Sequence, residues 1–145
     1  MENLITLDTH KVATISHLPN LNALVVVWNK GLVRSEEYRK LWTTATQFAE
    51  EYKIQYWLNN ETNLQVISPD DLKWAFEEWF PDSVEKLGMK RRVALVVSKR
   101  FYTEMGTSNL IQTFGEQGEE AIFKRFKDIE EAYNWLGKTE QEDIL

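Results

Sequence analysis

Any chemistry in this chain is done without thiols. None of the 145 residues is cysteine, which excludes a disulfide scaffold, a thiolate nucleophile and a thiolate metal centre. The two histidines are His10 and His17. Asp8 and His10 lie two apart in a turn and His17 lies seven further on, so no local spacing gathers three ligands, and no metal site or cofactor is expected. Carboxylates occur as adjacent pairs, Asp70-Asp71, Glu77-Glu78, Glu119-Glu120 and Glu130-Glu131. Neighbours on a helix point about 100° apart, so these pairs read as solvated faces and helix starts rather than acid–base couples. Gly115-Glu116-Gln117-Gly118 lacks the Lys-Ser/Thr that completes a phosphate-binding loop, and no serine sits in a nucleophile elbow. No catalytic residue is assigned, and the expectation is a protein that is not an enzyme.

Two sets of residues are left as candidates for binding. Lys90, Arg91 and Arg92 precede a predicted strand and Lys99 and Arg100 follow it, in a chain with 17 basic and 23 acidic residues and a net charge of −6. Such a patch can contact an anionic ligand or a lipid headgroup, or it can serve solubility and pair with Glu85, Glu104 or the acidic tail. The net charge itself argues against nucleic acid as a partner. The second set is aromatic: six Trp, five Tyr and seven Phe make up 12% of the chain. Trp42, Phe48, Phe76, Trp79 and Tyr133 fall on helical stripes and read as core. Trp74 falls about 200° around its helix from Leu72. Trp57 is expected on the sheet face opposite Tyr56, with Val25, Val27, Ala94 and Val96. Trp57 and Trp74 are therefore the candidate interface residues, to be covered by the closing helix, a second subunit or an apolar ligand.

Behind these residues stands an alternating set of elements. Residues 5–7 and 12–18 alternate as a strand pair around a turn at 8–10, and residues 23–29, apolar on both faces, read as a central strand. The spacing predicts a helix over 35–52, a strand over 54–59 and a polar loop over 59–63. Ser68-Pro69-Asp70-Asp71 starts a second helix, with serine as cap and proline in the first turn. Pro81 ends or kinks it, and Asp82 caps a further short turn. Residues 92–98 are a strand, and residues 121–126 another. Residues 99–120 have helical spacing weakened by three glycines and are expected to be mobile, and Asp128 caps a closing helix. The order β-β-β-α-β-α-β-α-β-α calls for one α/β domain over residues 1–137 with parallel central strands. Residues 138–145 are expected to fray as an acidic tail. The longest apolar run, residues 23–28, is far short of the ~20 residues of a spanning helix, so no stable membrane insertion is expected. Without a signal-like N-terminus the expected location is cytoplasmic.

The strand Tyr56-Trp57-Leu58 with Asn59-Asn60, the helix start at residues 67–74, the strand at 92–98 and the ending at 126–136 together resemble bacterial STAS-like (SpoIIAA-like) proteins, a group also classed with CRAL-TRIO lipid-binding domains. The resemblance covers nearly the whole chain. It implies a single-layer, mixed but mostly parallel sheet of four to five strands with helices mainly on one face, and a regulatory or protein-interaction role. A homodimer that uses the aromatic surface for contact is the expected assembly. In the anti-anti-sigma branch a serine in an Asp-Ser-Ser-Gly motif is phosphorylated at a helix N-terminus. Ser68 is the serine nearest that position here, but the motif is absent, and Asp70 and Asp71 would repel a phosphate. The same resemblance allows a second role, as carrier or sensor of a hydrophobic small molecule or lipid. In that reading residues 99–120 form a lid carrying Met105, Leu110, Ile111 and Phe114.

Overall fold

Stretches rich in β-branched and aromatic residues favour extended backbone, and six of them become strands: β1 (Ile5–Thr9), β2 (Ala13–Leu18), β3 (Ala23–Trp28), β4 (Tyr56–Asn60), β5 (Arg91–Val96) and β6 (Ala121–Phe126). A computed structural model describes residues 4–29, 31–64, 68–87, 91–100 and 121–144 of the chain. The strands form one mixed sheet in chain order, β1-β2-β3-β4-β5-β6. β1, β2 and β3 pair antiparallel, with a bulge between Thr6 and Asp8, and β3 through β6 pair parallel. The sheet is thus wider than the four to five strands implied by the resemblance.

Helix α1 (Ser35–Tyr52) carries the crossover from β3 to β4. Glu36 and Glu37 in its first turn complement the dipole, and the Arg34 amide donates to Glu37 Oε1 at 3.2 Å. It closes at Lys53, whose φ of 55° is left-handed and whose carbonyl accepts from the Asn22 amide side chain at 3.2 Å. The next crossover is a single helical run in three parts: α2 (Pro69–Trp74), a π-turn (Ala75–Trp79) and α3 (Phe80–Leu87). Pro81 has no amide hydrogen to give to the carbonyl four residues back, and its ring crowds that carbonyl. The wide turn just before it, closed by the Phe80 amide donating to the Ala75 carbonyl, relieves the crowding. The helical path therefore continues through Pro81 instead of restarting at Asp82, which lies within α3 and pairs with Lys86 at 3.1 Å.

The closing helix α4 (Ile129–Ile144) begins where expected, with Asp128 Oδ1 accepting from the Glu130 amide at 2.8 Å. It takes in residues 138–144, set apart above as a tail: Lys138, Glu140, Gln141 and Glu142 are good helix formers and carry the helix past Gly137.

The sheet is covered on both faces, not mainly one. α1, α2, the π-turn and α3 cover the first face, and α4 packs across β4, β5 and β6 on the second. Register decides which residues lie where. Trp57 is paired with Leu24 and Val93, whereas Leu58 is paired with Val25 and Ala94. Trp57 therefore points to the α1 face and is 0% exposed, which corrects its expected place beside Val25 and Ala94. The second face is closed by α4, with Ala132 and Leu136 fully buried against Tyr56, Leu58, Ala94 and Val96.

Candidate functional site

Alternation along β4 puts residues 57, 59 and 61 on the same face. The ladder continues one residue beyond the strand, because the Glu61 amide donates to the Val96 carbonyl at 2.7 Å. That bond draws Glu61 into the core, where it is 2% exposed. Its neighbours arrive in a relay. Trp28 Nε1 donates to Asn59 Oδ1 at 3.1 Å, and Asn59 Nδ2 donates to Glu61 Oε2 at 2.9 Å. The relay stops there, and Glu61 Oε1, fully buried, has no hydrogen-bond partner among the described residues.

Burial pushes the Glu61 carboxyl up from its ordinary 4.5 to about 8, against the opposing pull of the Asn59 bond. Desolvation disfavours the charged form, so at neutral pH this side chain is mostly a neutral acid. Tyr38, from α1, is also raised well above its ordinary value, by burial first and then by the Glu61 charge.

Beside Glu61 lies a cavity of about 30 Å³, walled by Tyr38, Trp42, Trp79, Phe80 and Leu95, enough for one or two water-sized groups. The π-turn supplies Trp79 and Ala75 to this wall. Ring centroids of Trp42 and Trp79 are 4.4 Å apart, those of Trp57 and Trp79 are 5.4 Å apart, and Trp42 stacks on Trp57 at 6.1 Å. Trp79 is held by its Nε1 donating to Thr46 Oγ1 at 2.8 Å, and Thr46 donates in turn to the Trp42 carbonyl at 2.9 Å. Trp79 also walls an open groove of about 250 Å³ between α1 and α3, which Glu50, Trp74, Glu78, Asp82 and Lys86 help to line. One indole thus separates a buried acid from an outer groove with three carboxylates.

Trp74 is half-buried, with the Arg39 guanidinium 5.3 Å from its ring centroid. Arg39 Nε also donates to the buried Asp71 at 3.1 Å, and Ser35 Oγ donates to the same carboxylate at 2.8 Å. The ring is thus engaged within the chain. Ser68 is a helix cap, its Oγ accepting from the Asp70 amide at 3.2 Å. The basic set is not brought together. Arg92 lies at the start of β5 and Lys99 and Arg100 lie past its end, on the order of 20 Å apart at 3.3 Å per residue. Lys90, the Arg91 side chain and the lid residues Met105, Leu110, Ile111 and Phe114 lie outside the described residues.

His10 pairs with Asp8 at 2.9 Å, whereas His17 bonds Asn22 at 3.1 Å. Among the described residues no three potential ligands cluster for a metal, and no helix is long and apolar enough to cross a membrane. Sequence reasoning missed Asn59 and Glu61 by assigning residues 59–63 to a loop. Their period-two spacing from Trp57 was the available signal. Comparison with protein-family models, with curated proteins and with solved structures gives no match, so the STAS-like resemblance stands on the sequence pattern alone.

Proposed function

We propose that this chain is a noncatalytic small-ligand-binding module, a sensor or carrier, whose ligand-reading group is Glu61. The observation that carries this reading is the buried, unpartnered Glu61 Oε1 beside an aromatic-walled cavity. Buried polar atoms are nearly always satisfied, and one that is not costs about 1–3 kcal/mol. A ligand that bonds Oε1 removes that cost, which gives the site an intrinsic affinity for a hydrogen-bonding group. A binding role also suits the dimensions: a cavity of about 30 Å³ admits the tip of a ligand rather than a reacting pair. In this reading the ligand sits on the α1 face of the sheet.

The test is a thermal-shift screen of small polar compounds against the wild-type chain and Glu61→Gln, a variant of the same shape. Compounds that raise the Tm of the wild type and not of the variant are expected. A screen in which every compound treats the two proteins alike would falsify the reading.

A further inference from the structure

Resting on that reading of the Glu61 pocket, we propose that its ligand is a primary ammonium group, with methylammonium the smallest organic example, seated between the Glu61 carboxylate and the surrounding aromatic rings. Three observations lead there. The free acceptor is a carboxyl oxygen, which pairs best with a charged N–H donor. The walls are Tyr38, Trp42, Trp79 and Phe80, and aromatic rings stabilise an organic cation that has shed its water. A divalent metal is a poor fit, because calcium and magnesium want six or more oxygen ligands and, among the described residues, the lining side chains that carry oxygen are Glu61, Asn59 and Tyr38.

The neighbouring groove has the matching sign. Trp79, whose indole forms part of the inner wall, also forms part of the groove lined by Glu50, Glu78 and Asp82, with Lys86 already paired to Asp82. Negative charge at a cleft mouth raises the local concentration of cations. The inner cavity of about 30 Å³ has room for a head of water size, which limits the buried part of the ligand to the ammonium and its first carbon.

The proton balance follows from the state of the acid. Binding of an ammonium ion converts the Glu61 carboxylic acid to carboxylate and releases one proton to solvent. Entry of the neutral amine instead moves that proton from the carboxyl to the nitrogen lone pair. Because the free ligand is an ammonium ion at pH 6–7, a neutral amine has already left its proton in solution, so either route releases one proton per ligand bound. Tyr38 from α1 faces the same space, and Asp71 of α2, neutralised by Arg39, lies near Tyr38. From β5 the lining side chains Val93 and Leu95 carry no charge.

The experiment is NMR of the intact chain labelled at the glutamate carboxyl carbon, titrated with methylammonium chloride, with potassium chloride at equal ionic strength as control and acetamide as a neutral donor of similar size. Methylammonium is expected to move the Glu61 carboxyl, raised to about 8, to its ionised position. Its affinity should tighten about tenfold from pH 6 to pH 7, the slope of a single exchanged proton. Potassium should leave the resonance in place, and Glu61→Gln should remove it. If acetamide moves the resonance and methylammonium does not, the ammonium assignment falls and the binding module survives. If neither moves it, both fall and the cavity holds structural water alone. The wild-type titration decides these outcomes even if Glu61→Gln does not fold.

Discussion

Beneath α4 the sheet buries Leu18, Val25, Leu58, Ala94 and Val96 against Ala132 and Leu136. Beneath α1 and the α2–α3 run it buries Trp28, Trp42, Trp57 and Trp79, and with them Asn59, Thr46 and Glu61. The α4 face is mainly apolar, its buried side-chain polar atoms being the hydroxyls of Ser16 and Tyr56. A buried indole adds an N–H that usually takes an acceptor, although Trp42 Nε1 has none among the described residues. Trp28 therefore brings in Asn59 and Trp79 brings in Thr46. Asn59 has donors of its own, and they bring in Glu61. Trp28 and Trp79 thus carry buried polar partners into this face, and Glu61, with its open Oε1, ends the chain that starts at Trp28.

The contrast can be broken most directly at its packing. Trp57→Ala should lower unfolding free energy by about 4 kcal/mol and Leu136→Ala by about 3 kcal/mol, both as cavity costs, read by urea denaturation. Losses under about 1 kcal/mol at Trp57 would mean that the tryptophan face is loosely packed. A sharper distinction comes from pH. The folded carboxyl of Glu61 sits near 8 and its ordinary value is 4.5, so between these limits the native state holds a proton that the unfolded chain has lost. Stability then falls as pH rises through that window and levels off above it. From pH 5.5 to 7.5 the wild type should lose about 2–3 kcal/mol relative to Glu61→Gln, measured as the difference between two denaturation series. Parallel series would show that Glu61 ionises freely. The smallest effect lies at the rim of the tryptophan face. Ser68→Ala should cost about 1 kcal/mol as a lost helix cap, with ligand response unchanged. A loss of that response would tie the start of α2 to the pocket.

The order of the described elements was legible because each strand and helix carries its own period. The span of α1 and the cap at Ser68 follow from residue types alone. The assignment of faces was not, because it depends on registry between strands: Leu24 and Val25 are equally apolar, and pairing alone sets which stands beside Trp57. The π-turn was illegible for a related reason, since Pro81 announces a missing hydrogen bond without saying whether the helix stops or widens. At Glu61 composition misled. Asn59-Asn60-Glu61-Thr62-Asn63 has the polarity of a solvated turn, yet a backbone bond to Val96 extends the ladder and carries the glutamate inward.

The tryptophan packing also has an optical consequence. Trp28, Trp42, Trp57 and Trp79 form a connected chain of rings with centroids 4.4–6.5 Å apart, distances at which excitation passes between indoles far faster than light is emitted. The four are expected to share excitation and to emit with low polarisation, which fluorescence anisotropy would read. Because Trp42 and Trp79 wall the Glu61 cavity, a change in that carboxyl's charge alters the glow of the whole cluster.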